Sequence, residues 1–198
     1  MKKLCSMFLI VFFILSLASP GNAQEQNIEY CWASVVDVIN DAFQDNSTYW
    51  FVEEVQALFW LPDIFISQNL TEEDQNNNCV GSFISSSGNA LIYLTYSEED
   101  ISLDTTFIAL KQSGYDVNMI SVNSIPAILF RNAENDALYL IFETQEGNAF
   151  QIMFTSYSDG NLSILYDMII SSILPLEEEA VSTNVVPSSN PVSKLISK

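Results

Sequence analysis

Four short apolar or alternating runs follow one another in the second half of the chain, and they constrain the fold more than any other feature. The runs cover residues 117–122, 126–130, 137–142 and 149–154. Short stretches rich in Asn, Asp, Ser, Glu and Gly separate them, and these residue types favour turns. Because a parallel crossover needs a dozen or more residues, connections this short predict an antiparallel four-stranded meander.

The rest of the chain alternates between helical and strand patterns. Apolar residues at helical spacing predict helices, and shorter apolar runs bounded by polar or Pro residues predict strands. The expected helices cover 32–43, 102–113 and 162–173, and the expected strands cover 49–52, 55–61, 79–84 and 90–96. The predicted fold class is therefore α+β: an antiparallel sheet of about six to seven strands, ending in the four-stranded meander and flanked by two to three helices.

The N-terminus has the pattern of a secretory signal. Lys2 and Lys3 precede an apolar run, and small residues including Gly21 and Ala23 lie where a signal peptidase cleaves. The run is shorter than the roughly 20 residues of a membrane span. We therefore expect a signal peptide over 1–23, a single α+β domain over 24–176 and a disordered, Ser- and Pro-containing tail over 177–198. The signal favours a secreted, extracellular protein of bacterial type, without membrane insertion after cleavage.

The charge of the chain excludes two classes of partner. The net charge is −19, and removal of 1–23, which holds two of the six basic residues and no acidic ones, changes it to −21. Nucleic acids and anionic lipid headgroups are bound by clusters of Lys and Arg, so neither is expected as a partner. Solubility explains an acidic surface, and weak binding of divalent cations or of a basic partner are the alternatives.

The sequence offers little catalytic chemistry. It contains no histidine, which excludes Ser-His-Asp and Cys-His catalysis and the common zinc sites. Phosphate-binding glycine motifs and the EF-hand calcium loop do not occur either. We therefore expect no catalytic residue, no cofactor and no specific metal site. A pair of Asp or Glu side chains could still hydrolyse a glycosidic bond, which leaves an enzyme as an alternative.

Two pairs of residues stand out as candidates for special roles. Cys31 and Cys79 are the cysteines that remain after signal cleavage, and in an oxidising compartment they could form one disulfide or stay as two buried thiols. Trp50 and Trp60 lie in neighbouring apolar runs. They could line a groove for a partner or a sugar, or they could pack in the core.

Several short motifs, in a fixed order, carry a resemblance to a known fold. They are Tyr30-Cys31-Trp32, Leu58-Phe59-Trp60-Leu61-Pro62, Leu70-Thr71-Glu72-Glu73-Asp74, and Phe154-Thr155-Ser156-Tyr157-Ser158-Asp159 leading into Ile169-Ile170-Ser171-Ser172-Ile173. The order of elements resembles the PsbP-like α/β/α sandwich, and the chain looks like small secreted proteins of clostridial-type Gram-positive bacteria that have no assigned activity. The resemblance implies an accessory or binding role, and a structural role for these residues.

These observations favour an exported, non-catalytic accessory or binding domain with an unknown ligand. Its partner would be an unknown protein or a component of the cell envelope, contacted through one face of the sheet or through the groove beside Trp50 and Trp60. The alternatives are a small carbohydrate-active hydrolase that uses an Asp/Glu pair and a structural envelope protein.

Overall fold

The computed structural model describes residues 28–44 and 46–175. The signal peptide expected over 1–23 and the tail expected over 177–198 lie outside the described residues, and both stay predictions. The domain bounds of 24–176 extend slightly beyond the described part and are also a prediction.

The described chain forms two sheets and four helices. The strands are β1 (Ile28–Tyr30), β2 (Ser47–Val52), β3 (Ala57–Pro62), β4 (Phe65–Ser67), β5 (Cys79–Ser85), β6 (Leu91–Asp100), β7 (Asp116–Val122), β8 (Ile125–Asn132), β9 (Ala137–Glu143), β10 (Asn148–Thr155) and β11 (Leu174–Pro175). The helices are α1 (Trp32–Phe43), α2 (Glu72–Asn76), α3 (Leu103–Gln112) and α4 (Gly160–Ser171), with one 3-10 turn at Glu53–Val55.

The larger sheet confirms the predicted α+β class and the predicted meander. It has eight strands in the order β1-β7-β8-β9-β10-β6-β5-β4, and β7 to β10 pair antiparallel in sequence order. The predicted hairpin is also present as β5 and β6. The exception to the antiparallel pattern is β1, which pairs parallel with β7 at one edge.

The smaller sheet has three strands, in the order β11-β3-β2. Sequence analysis places β2 and β3 in the same sheet as the meander, whereas in the structure they pair with β11 instead. Their connection is the 3-10 turn, which is short enough for an antiparallel hairpin. The third strand, β11, comes from the segment after α4, more than a hundred residues later in the chain. No local sequence pattern predicts a pairing over that distance.

Alternating side chains of the eight-stranded sheet form two separate cores. On β8, Ile128 and Phe130 point toward α3, while Ala127 and Leu129 point toward α4 and the three-stranded sheet. This follows from the strand period of two, which sends successive side chains to opposite faces. α3 packs on β7, β8 and β9. α3 therefore covers one face of the large sheet over these strands.

The helices form where the apolar spacing predicts them, with shifts of one or two residues. α4 begins at Gly160 because the Asp159 side chain accepts hydrogen bonds from the backbone N–H groups of Asn161 and Leu162, which caps the helix. α2 is a single turn with a capping box between Thr71 and Asp74.

Asn123 joins three segments that position the small sheet. It lies in the β7–β8 turn with a φ of 47°. Its Oδ1 accepts a hydrogen bond of 2.7 Å from the backbone N–H of Trp32, at the start of α1. Its Nδ2 donates to the carbonyl oxygens of Ser171 and Ile173, at 2.9 and 2.8 Å. The start of α1 and the end of α4 are thereby fixed to the edge of the large sheet.

Candidate functional site

The small sheet lies between α1 and the large sheet. On one face, Trp60 packs edge-on against Phe43 of α1, with ring centroids 4.9 Å apart. On the other face, Trp50 packs edge-on against Phe83 of β5, also at 4.9 Å. The central strand β3 is buried along its whole length. β2 lies at the edge of this sheet, and no strand of the described residues pairs with its outer side.

Hydrogen bonding of the central strand fixes which backbone groups of β2 point outward. The N–H of Trp60 donates to the Ser172 side chain at 2.8 Å, on the side of β3 away from β2. In an antiparallel strand the N–H and C=O of one residue point to the same side. Trp60 therefore does not bond to its cross-strand neighbour Tyr49.

The orientation of the β2 backbone follows from the register. Thr48, Trp50 and Val52 lie opposite Leu61, Phe59 and Ala57, and they exchange the inner hydrogen bonds. The N–H and C=O groups of Ser47, Tyr49 and Phe51 point away from β3. We call this row the free edge of β2, because no strand of the described residues pairs with it.

The other edge strands of the described sheets are short or blocked. β1 and β4, at the two edges of the large sheet, have three residues each. β11, at the far edge of the small sheet, has two, and one of them is Pro175. β2 has six residues, without Pro, Gly or Lys. Short length, Pro and Lys are the usual devices that prevent pairing at an exposed edge, and β2 has none of them.

Three consecutive residues of β2 are aromatic, and the charged residues next to the two ends of the strand are acidic. Phe51 is 41% exposed, and Tyr49 and Trp50 are half-buried. Glu53 and Glu54 directly follow β2, and both are exposed. At the other end, the exposed Asp63 donates its backbone N–H to the carbonyl of Asn46, just before β2 begins. Carboxylates therefore lie at both ends of the strand.

The groove expected beside Trp50 and Trp60 is not present. Trp60 is fully buried, with 0% of its surface exposed. It pairs with Tyr49, whereas Trp50 pairs with Phe59. Because neighbours along a strand alternate between faces, the two tryptophans lie on opposite faces of the small sheet. Core packing is the role of Trp60, and Trp50 contributes to the edge strand.

Of the two alternatives for Cys31 and Cys79, a disulfide or two thiols, the structure has the thiols. Both cysteines are free thiols. Cys31 follows β1 and Cys79 begins β5, and five strands of the large sheet lie between β1 and β5. Neighbouring strands are about 4.8 Å apart, whereas Cα atoms joined by a disulfide lie within about 7 Å. The fold therefore separates the two cysteines too far for a bridge.

The Cys79 thiol belongs to a small polar cluster with Tyr93 and Asp74. Tyr93 donates its hydroxyl hydrogen to Asp74 at 3.0 Å, and Cys79 donates to the carbonyl of Gly81 at 3.3 Å. Burial raises the pKa of both Cys79 and Tyr93. The pKa of Asp74 is lowered, chiefly by the backbone N–H of Thr71. A protonated thiol is a weak nucleophile, so this cluster has the character of a structural contact.

A second titratable cluster surrounds Asp167 on α4. The Tyr30 hydroxyl donates to its carboxylate at 3.3 Å. Burial raises the pKa of Asp167, and it also raises the pKa of Tyr30 and Tyr157. Arg131 lies over the Tyr157 ring at 5.3 Å and forms an ion pair with Asp136 at 3.6 Å. The Tyr30–Asp167 hydrogen bond joins β1 to α4, and Arg131 joins the end of β8 to Asp136 and Tyr157.

Within residues 28–44 and 46–175, no group of three or more Cys, Asp or Glu side chains is placed to hold a metal ion. Among the helices described, none is long and apolar enough to cross a bilayer.

The fold defines an α+β protein in which helices and a three-stranded sheet cover a large, mostly antiparallel sheet. No family model matches the sequence, and neither does a curated protein. Similar solved structures include the cyanobacterial PsbP protein (CyanoP) of Synechocystis sp. PCC 6803, at 9% identity and a TM-score of 0.48, over 66% of this chain and 93% of that one. A protein of Bacteroides thetaiotaomicron VPI-5482 is similar at 10% identity and a TM-score of 0.40, over 68% of this chain and 50% of its own. A PsbP protein is thus among the structural neighbours, and the likeness concerns the fold alone.

Proposed function

We propose that this chain is an exported, non-catalytic binding domain, and that the free edge of β2 is its contact with a protein partner. The outward N–H and C=O groups of Ser47, Tyr49 and Phe51 carry the proposal. An extended segment of another protein would add to β2 as a further strand, in the mode known as β-augmentation.

The contrast with the other edge strands supports this function. An edge strand of six residues that lacks Pro, Gly and Lys is a liability when no strand pairs with its outer side, because it can pair with any other free strand. The edge strands β1, β4 and β11 avoid that liability by their length. A six-residue edge that no strand of the described residues covers is explained if a specific partner pairs with it.

The charge of the chain disfavours a second copy as that partner. The net charge of −21 expected after signal cleavage makes two copies repel each other. A partner of different charge avoids this repulsion.

Export is the second part of the proposal, in keeping with the small secreted Gram-positive proteins that the sequence resembles. Cleavage after Ala23 would give a mature protein that begins at Gln24. N-terminal sequencing of the protein recovered from culture medium tests this. Recovery from the cytoplasm with Met1 still attached would contradict it.

Site-specific crosslinking in the cells that export the protein tests the binding function. A photoreactive amino acid replaces Thr48, an exposed residue of β2, or Ile164, which is 61% exposed on α4 and serves as the control. We expect a crosslinked partner from position 48 that is absent from position 164. Phe51→Pro should abolish that crosslink, whereas Phe51→Ala should keep it, because only proline removes the outward N–H. Equal crosslinking from both positions, or equal effects of both variants, would refute the proposal.

A further inference from the structure

The side chains of β2 indicate what kind of strand the free edge accepts. We infer that the partner segment has three consecutive uncharged, apolar residues, which lie opposite Tyr49, Trp50 and Phe51. Such a segment is apolar on both of its faces, unlike the alternating pattern of a strand that has one face in water. This inference rests on the proposed function and adds the chemistry of the partner.

One face of the free edge is lined by Tyr49 and Phe51. The Tyr49 ring contacts Trp32 of α1 edge-on, with ring centroids 6.2 Å apart, and Phe51 lies on the same face because side chains alternate along a strand. Phe51 is 41% exposed and Tyr49 is half-buried. Apolar side chains opposite these two residues would bury more of both rings, and such cross-strand pairs stabilise a sheet.

The opposite face of the free edge is lined by Trp50. Its ring packs on Phe83 of β5 and its inner neighbour on β3 is Phe59, yet the side chain is only half-buried. On the outer side, Trp50 would form a non-hydrogen-bonded pair with an antiparallel partner strand. Opposing side chains are closest in pairs of this kind, with Cα atoms about 4.5 Å apart. We therefore expect an apolar residue opposite Trp50 as well.

The charge along β2 matches an uncharged occupant. Residues 47–52 carry no charged side chain. A Lys or Glu side chain of the partner placed opposite Trp50 or Phe51 would therefore lose water without gaining a counter-charge, which is unfavourable. Ser47 and Thr48 are small and polar, so the segment can continue in polar residues opposite them.

A second copy of the chain has the same kind of segment, because β2 itself holds three consecutive aromatic residues. The charge of −21 expected for each mature copy disfavours that pairing. A different protein with an uncharged, apolar strand fits the free edge without this repulsion.

Two peptides of identical composition test the inference on the purified full-length protein. The probe has three consecutive valines flanked by serines, and its isomer has a serine between each pair of valines. Binding is followed by anisotropy of a dye on the peptide. We expect the probe to bind at least about threefold more tightly, because the isomer can cover Trp50 or the two residues of the other face but not both. A probe with N-methylated valines and neighbours should bind at least about tenfold more weakly, because it loses backbone hydrogen bonds.

Protein variants give the second half of the test. Trp50→Ala should remove the advantage of the probe over the isomer, because only one face of the free edge then offers aromatic rings. Phe51→Ala should weaken both peptides about threefold and leave the advantage in place. Ile164→Ala removes a side chain that is 61% exposed on α4 and should change neither peptide. Circular dichroism verifies that each variant is folded, and the two isomers test the same preference on the unaltered protein.

The outcomes separate this inference from the proposed function. If the probe and its isomer bind equally and N-methylation weakens both, the free edge binds strands but the preference for three apolar residues is wrong. Tighter binding of a probe with lysine in place of the central valine would contradict an uncharged partner. If N-methylation has no effect, or if the probe does not bind, both proposals fail. Concentration-dependent dimerisation that Phe51→Pro abolishes would replace the partner protein by a second copy of the chain.

Discussion

At the scale of single residues, Trp60 illustrates how a candidate site residue proves to be core. Its ring is fully buried against Phe43, and its indole N–H has no hydrogen-bond partner within the described part of the chain. The sequence presents Trp60 and Trp50 alike, as aromatic residues in apolar runs. The register of β2 and β3 separates them, and register depends on how the hairpin closes.

Truncation of the two tryptophans should therefore have unequal effects. We expect Trp60→Ala to lower the free energy of unfolding by about 3–5 kcal/mol, because it leaves a cavity in the core. Trp50→Ala should cost clearly less, since Trp50 is only half-buried. Urea unfolding measures both values. A small cost for Trp60→Ala would mean that this ring lines an open groove after all.

Asp167 gives a prediction about pH. Burial raises the pKa of its carboxyl, so the folded protein binds this proton more tightly than the unfolded chain does. The ionised carboxylate therefore lowers stability at neutral pH, and this cost disappears as the pH falls through the folded pKa. Asp167→Asn keeps an acceptor for Tyr30 and should raise the thermal unfolding midpoint at pH 7.

The advantage of Asp167→Asn over the wild type should narrow as the pH approaches the acid range where aspartate takes up its proton, near pH 4. Asp37→Asn, at an exposed position of α1, removes the same charge and is the control for general repulsion. An equal midpoint shift for both variants would assign the effect to net charge instead of burial.

At the scale of elements, local patterns and long-range pairing differ in what the sequence reveals. The meander, the β5–β6 hairpin and α1 were predictable, because each depends on periodicity and on turns close along the chain. The small sheet was not, because β3 takes its second neighbour β11 from the far end of the domain. The free edge of β2 follows from that pairing. Its sequence signal is a six-residue run without Pro, Gly or Lys, which becomes informative once the strand is known to be an edge.

Proline substitutions test the orientation of β2. Thr48 and Phe51 are both exposed, but the N–H of Thr48 points to β3 and that of Phe51 points outward. We expect Thr48→Pro to cost about 2 kcal/mol or more relative to Thr48→Ala, because a hydrogen bond of the ladder is lost. Phe51→Pro should cost under about 1 kcal/mol relative to Phe51→Ala, because an outward N–H makes no hydrogen bond of the ladder and edge strands tolerate proline there. If chemical denaturation gives the larger cost for Phe51→Pro, the inward and outward N–H groups of β2 are assigned the wrong way round.

At the scale of the whole molecule, the separation of Cys31 and Cys79 is a consequence of the sheet order. Cys31 directly follows β1 at one edge of the eight-stranded sheet, and Cys79 begins β5, beside the strand at the other edge. We expect the intact mass of the mature protein, which lacks Cys5 and is alkylated without a reductant, to contain two modified thiols after unfolding. Under native conditions the half-buried Cys31 should react first, since Cys79 is buried. A mass two hydrogens lower and no alkylation would require a bridge, and with it a different sheet order.

Residues 28–44 and 46–175 combine a large sheet, covered on both faces of its central strands, with a small sheet that ends in β2. α3 and the small sheet cover the two faces, and among these described residues three of the four sheet edges are at most three residues long. We therefore propose that the domain binds its partner at the free edge of β2. This proposal depends on the outward direction of the Ser47, Tyr49 and Phe51 backbone groups.

Amide hydrogen exchange, resolved by NMR for each residue of β2, tests that direction most directly. The amides of Trp50 and Val52 should exchange slowly because they donate to β3, whereas those of Tyr49 and Phe51 should exchange much faster because they face outward. The alternation should be present in the isolated protein, without any partner. Equal protection along the strand, or slow exchange at Tyr49 and Phe51 with fast exchange at Trp50, would contradict the free edge.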